Sequence, residues 1–128
     1  MLSIFVGVCV VIYVARGREH IVLDDGTRSE LGGTYVKLSS GVTHYDLRGE
    51  KNGETVVFLH GATISIWDFD LQVGPLVNAG YRVLGFDAFG RGFSDRPMVD
   101  YTREFYARQL SELLTELEIS GKVILVGH

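Results

Sequence analysis

The chain holds a single cysteine, Cys9, so no internal disulfide can form, and the thiol stands in an apolar stretch where it behaves as a small hydrophobe. A metal centre has no support either. The four histidines, His20, His44, His60 and His128, lie far apart, and none is at ligand spacing with another His or with Cys9. Acidic and basic residues are interspersed from Arg16 onward and the formal net charge is −4. No basic run or stripe exists to hold a phosphate backbone, which argues against nucleic acid as a partner. Internal repeats and low-complexity segments are also lacking. What is present is 46% hydrophobic residues in 128 positions, enough for the core of one small domain.

Composition divides the chain into three regions. Residues 1–18 form an apolar N-terminal segment, in which residues 2–15 (LSIFVGVCVVIYVA) carry no charge before Arg16-Gly17-Arg18-Glu19 turns the chain polar. As a helix this run is roughly 21 Å long, short of the roughly 30 Å hydrocarbon core of a bilayer. Its length suits a signal peptide, yet no basic segment precedes it and Tyr13 stands where a cleavage site wants a small residue. A single-pass membrane anchor is the leading expectation, with secretion after signal cleavage as the alternative. For an anchor, Arg16 and Arg18 place the following domain on the cytoplasmic side. Residues 19–33, with Asp24-Asp25-Gly26 and Gly32-Gly33 as breakers and no periodic apolar face, read as a polar linker. Residues 34–128 read as the folded domain.

Within that domain, residues 34–38 and 42–47 are short strands joined by a tight Ser39-Ser40-Gly41 connection, and Asn52-Gly53 turns the chain into a third strand, residues 55–59. Val56, Val57, Phe58 and Leu59 are all apolar, so this strand is expected to be covered on both faces. The same expectation holds for residues 81–86 and 123–126. Residues 71–79 form a helix closed by Gly80, and Thr102 is the N-cap of a second helix reaching Glu118. Tyr106, Leu110, Leu113, Leu114 and Leu117 give that helix one apolar stripe. A hairpin followed by strand-helix-strand units predicts an α/β sheet with helices on its faces.

Three loops at strand ends could carry chemistry. His60-Gly61-Ala62-Thr63 follows the third strand, and Gly61 lets the chain turn so that the next amide can face a ligand. Asp87, Gly90, Gly92, Ser94 and Asp95 form a Gly-rich D-x-x-G-x-G-x-S-D loop after the fourth strand, which lacks the third glycine of a dinucleotide fingerprint. The last strand runs into Gly127-His128. Trp67 and Phe69 either line a pocket or cap the core.

These ordered motifs resemble the N-terminal half of an α/β-hydrolase of the AB hydrolase-1 type. The resemblance covers about residues 34–128 and implies a three-layer α/β sheet, strand order 1-2-4-3-5, truncated before the nucleophile. It implies that Ala62 donates one oxyanion-hole N–H and that His60 and Gly61 support its loop. Asp87, Gly90, Gly92, Ser94 and Asp95 are then a structural turn beside the pocket. Gly127-His128 match the start of a G-x-S-x-G nucleophile elbow, with the nucleophile due at the next position. No serine in the chain satisfies that motif, so the resemblance puts the acid and the catalytic His beyond His128 as well and leaves this chain inactive alone.

The function implied is serine-type hydrolysis of a small-molecule or lipid ester, without a cofactor. Three alternatives stay open: an Asp nucleophile as in epoxide hydrolases or haloalkane dehalogenases, a carbon-carbon bond hydrolase, and a non-catalytic membrane-bound binding module. Thr63 counts against the epoxide reading, because that group usually has proline there.

Overall fold

The computed structural model describes Gly7, Cys9, residues 11–13 and residues 22–127. The apolar run at residues 2–15 lies largely outside the described residues, as does His128. Five strands form one mixed sheet: β1 (Thr34–Leu38), β2 (Gly41–Arg48), β3 (Thr55–Leu59), β4 (Arg82–Phe86) and β5 (Val123–Gly127). Their order across the sheet is β1-β2-β4-β3-β5, as the resemblance implies. β2 runs antiparallel to both β1 and β4, whereas β3 runs parallel to both β4 and β5.

The period-two alternation of strand side chains builds two cores from one central strand. Val57 of β3 and Leu84 and Phe86 of β4 pack with Leu38, Phe89, Phe105 and Leu113 on one face. Val56, Phe58 and Val83 point the other way, onto Phe69 and Val73. Helix α3 (Arg103–Glu116) covers the first face, and a 3-10 turn (Ile66–Phe69) leading into α2 (Asp70–Asn78) covers the second. The apolar run of β3 is thus explained by burial on both sides.

The helix ends follow the sequence chemistry. Thr102 accepts the Phe105 N–H at 3.2 Å through its hydroxyl, satisfying one donor of the first turn of α3. Gly80 has φ +92° directly after α2 and donates its N–H to the Val77 carbonyl at 3.0 Å, a left-handed termination that favours glycine. Glu112, on the outer side of α3, accepts both the Ser39 N–H (2.9 Å) and the Ser39 hydroxyl (2.7 Å), pinning the first hairpin to the helix.

Two expectations are corrected. The stretch expected as a polar linker, residues 19–33, contains helix α1 (Asp25–Leu31), whose N-cap Asp24 accepts the Thr27 N–H at 2.8 Å. Its Arg28 is buried and pairs with Asp95. The fifth strand is not covered on both faces. It lies at the sheet edge, where Ile124, Leu125 and Val126 are exposed.

This contrast sets a stability test. Leu113 is 0% exposed and Leu125 is 53% exposed. Leu113→Ala is expected to lower unfolding stability by about 3 kcal/mol through lost burial and a cavity. Leu125→Ala is expected to cost less than about 1 kcal/mol. Urea unfolding of the two variants measures both, and equal losses would contradict the placement of the core.

Candidate active site

The carboxyl ends of β3 and β4 lead into adjacent loops, the place where open α/β sheets bind ligands. A cleft of about 450 Å³ opens there, lined by Leu59, Gly61, Ala62, Ala88, Arg91 and Tyr106 among others. β5 ends beside it, since Leu59 and Gly127 are register partners in the parallel β3–β5 pair.

The His60–Thr63 loop is held from both sides of Ala62. His60 Nδ1 lies 2.8 Å from the Gly61 carbonyl oxygen, and His60 Nε2 lies 3.0 Å from the Ala88 nitrogen. The Ala88 N–H can only donate and the Gly61 oxygen can only accept, so the tautomer that satisfies both contacts has its proton on Nδ1. In a trans peptide the C=O and N–H point in opposite directions. Fixing the Gly61 carbonyl therefore turns the Ala62 N–H away from His60. Arg91 grips the next peptide, donating from Nε to the Ala62 carbonyl and from Nη1 to the Gly90 carbonyl.

The second loop is organised by Asp87, which is fully buried. Its carboxylate accepts from His44 Nδ1, the Ile66 N–H and the Phe93 N–H, each at 2.9 Å. Burial pushes its pKa up, but the hydrogen bonds from His44, Ile66 and Phe93 outweigh it and hold the carboxyl below the usual carboxylate range. Gly92 makes the approach possible. It has φ +48°, and a Cβ there would stand 2.0 Å from Asp87 Oδ2. Ser94 Oγ accepts the His44 N–H (2.9 Å) and donates to the Asp87 carbonyl (2.6 Å). Asp95 accepts the Val42 N–H at 2.7 Å and pairs with Arg28, while its carbonyl accepts the Gly90 N–H at 2.8 Å. The loop is wired to β2, α1 and the 3-10 turn.

Trp67 and Phe69 do not line the cleft. Phe69 is buried on the opposite sheet face, stacked on Phe58 with ring centroids 4.3 Å apart. Trp67 is half exposed, 6.2 Å from the His44 ring.

Four residues escaped the sequence reading: His44, Arg28, Arg91 and Gln109. Gln109 is buried and accepts the Phe89 N–H at 2.9 Å while donating to Thr43 Oγ1 and the Asp87 carbonyl. Its signal was available, for positions 106, 109 and 113 share one helix face and Gln109 is a polar residue inside the apolar stripe. Among the described residues, no group of three or more His, Cys, Asp or Glu side chains is placed to hold a metal ion.

Known proteins share this fold. The model of the alpha/beta hydrolase family matches residues 56–128. The chain belongs to that family. A non-heme chloroperoxidase of Streptomyces lividans is 36% identical over 80 residues, covering 62% of this chain and 29% of the relative. The 2-hydroxy-6-oxononadienedioate/2-hydroxy-6-oxononatrienedioate hydrolase of Paraburkholderia xenovorans is 43% identical over 89 residues, covering 66% of this chain and 30% of the relative. The crystal structure of an enol-lactonase from Burkholderia xenovorans superposes with a TM-score of 0.69 at 26% identity, covering 73% of this chain and 36% of that one. The chain thus spans about a third or less of the length of these relatives, and the five-strand sheet corresponds to their N-terminal part.

Asp87 generates a pH prediction. Because its folded-state pKa lies below the ordinary carboxylate value of 3.8, its contribution to stability is complete above about that pH and is lost as pH falls through the folded value. Asp87→Asn is expected to be less stable than wild type by roughly 2–3 kcal/mol at neutral pH. The gap should narrow below about pH 4. Thermal unfolding of both proteins across that range checks it, and a gap that widens on acidification would contradict the assignment.

Proposed function

We propose that residues 34–128 are the N-terminal part of a serine-type hydrolase of esters or acyl-lipids. In this reading the Ala62 N–H is one oxyanion donor and the nucleophile is the residue after His128. The observation that carries it is the Ala62 peptide, gripped through His60 and Arg91 beside the end of β5. Parallel neighbours lie roughly 4.8 Å apart. A chain leaving Gly127 therefore emerges next to the loop that begins at His60, where a nucleophile and an oxyanion donor must share one carbonyl. The hydrolase and lactonase relatives support hydrolytic chemistry on a small molecule.

In the reaction, the serine oxygen attacks the ester carbonyl and its proton passes to a histidine later in the chain. The carbonyl oxygen becomes an oxyanion held by the Ala62 N–H and by the N–H following the nucleophile. Collapse expels the alcohol, which takes the proton, and water then releases the acid.

Reading the coding sequence past His128 and expressing the longer product tests this. With serine next, the product is expected to label with a fluorophosphonate probe. Ala62→Pro, which removes the N–H, is expected to lower kcat on the order of a hundredfold with a smaller change in KM. Circular dichroism verifies that the variant is folded. A folded variant with unchanged kcat would overturn the role of Ala62, and aspartate at the next position with no labelling would move the protein to an Asp-nucleophile reaction.

We also propose that residues 2–15 tether the domain to a membrane, a reading supported by the uncharged sequence of the run and by Arg16 and Arg18 after it. Among the described residues no helix is long and apolar enough to cross a bilayer. The expressed protein is expected to pellet with membranes, resist carbonate extraction and retain its N-terminus. Full-length protein in the soluble fraction would contradict the tether.

A further inference from the structure

Gln109 is an unusual residue for its position. It lies on the buried face of α3, 1% exposed, where Leu113 one turn later is purely apolar. A buried amide is tolerated only when its groups are hydrogen-bonded, and here they are. Oε1 accepts the Phe89 N–H at 2.9 Å, while Nε2 donates to Thr43 Oγ1 at 3.0 Å and to the Asp87 carbonyl at 3.2 Å. The orientation of the amide is dictated by its neighbours, since Phe89 offers a donor and Asp87 an acceptor.

The Asp87 carbonyl and the Ala88 N–H are the two ends of one peptide unit. One end is held by Gln109 and the Ser94 hydroxyl, and the other donates to His60 Nε2. His60 in turn donates from Nδ1 to the Gly61 carbonyl, whose peptide ends in the Ala62 N–H. We propose that Gln109 is a positioning residue for the Ala62 N–H. It acts through a unidirectional hydrogen-bond relay: Gln109 to the 87–88 peptide, that peptide to His60, and His60 to the 61–62 peptide. Every member donates toward the cleft, so the polarisations add and Ala62 becomes a stronger and better aimed donor. The relay also fixes the His60 tautomer, because Nε2 must remain bare to accept from Ala88. The proposal rests on the reading of Ala62 as an oxyanion donor, but the relay itself can be observed without catalysis.

The test uses the 128-residue chain labelled with 15N. In wild type, His60 is expected to carry its proton on Nδ1 by a margin of about tenfold or more over the Nε2–H form, and a scalar coupling across the hydrogen bond is expected between the Ala88 nitrogen and His60 Nε2. A free histidine side chain favours the Nε2–H tautomer, so a proton on Nδ1 reports the two bonds that the ring makes. In Gln109→Leu the two His60 tautomers are expected to approach equal populations and the coupling to weaken. A folded Gln109→Leu with an unchanged His60 spectrum would overturn the proposal, since the bonds that Gln109 makes to Phe89, Thr43 and Asp87 would then not reach His60. Should that variant not fold, the wild-type spectrum decides: a proton on Nε2, or no coupling to Ala88, overturns the relay. An intact relay beside unchanged kcat in Ala62→Pro would instead defeat only the oxyanion reading.

Discussion

A carboxylate buried without solvent must be surrounded by donors, and meeting that requirement at Asp87 arranges the site end of this domain. The donors come from three different elements: His44 on β2, Ile66 at the start of the 3-10 turn, and Phe93 in the loop that Asp87 itself opens. Satisfying one side chain therefore fixes three segments that are far apart in sequence. Gly92 is part of the same solution, because any side chain there would collide with the carboxylate. Ser94 adds a second tie between the loop and β2 by bridging the His44 N–H and the Asp87 carbonyl.

The sheet supplies the platform on which this network sits. Central strands β3 and β4 are apolar on both faces, so α3 and the α2 side pack on opposite sides and leave the carboxyl ends free for loops. The cleft forms between those loops and α3. Ala62 and Ala88 both line it, and the His60 ring joins their loops by bonding the Gly61 carbonyl and the Ala88 N–H. One fold can host many chemistries, and the relatives carry names as different as chloroperoxidase and lactonase.

Strands and long helices were legible in the sequence because their signals are local. The unbroken apolar run at residues 56–59 announced two-sided burial, and Thr102 and Gly80 marked helix ends through chemistry that acts within a single turn. The strand order came from resemblance, since pairing between distant strands leaves no local trace. Helix α1 was missed because Asp24-Asp25-Gly26 also looks like a turn, and only the buried Arg28–Asp95 pair, 67 residues apart in sequence, decides between the two. His44 was missed for the same reason: its partner lies 43 positions away. The apolar residues of β5 suggested burial on both faces, whereas the strand order implied by the resemblance already put that strand at an edge, where the structure leaves it exposed. Gln109 alone could have been found earlier, as a polar interruption of an apolar stripe.

The proposed role of the Ala62 peptide is most directly tested by a crystal structure of the longer protein after reaction with a fluorophosphonate. The phosphoryl oxygen of the adduct imitates the oxyanion of the tetrahedral intermediate. It is expected at a distance of about 2.7–3.1 Å from the Ala62 nitrogen, with the Gly61 carbonyl still bonded to His60. An adduct whose oxygen points away from Ala62, or a loop in which the Gly61–Ala62 peptide has turned over, would contradict it.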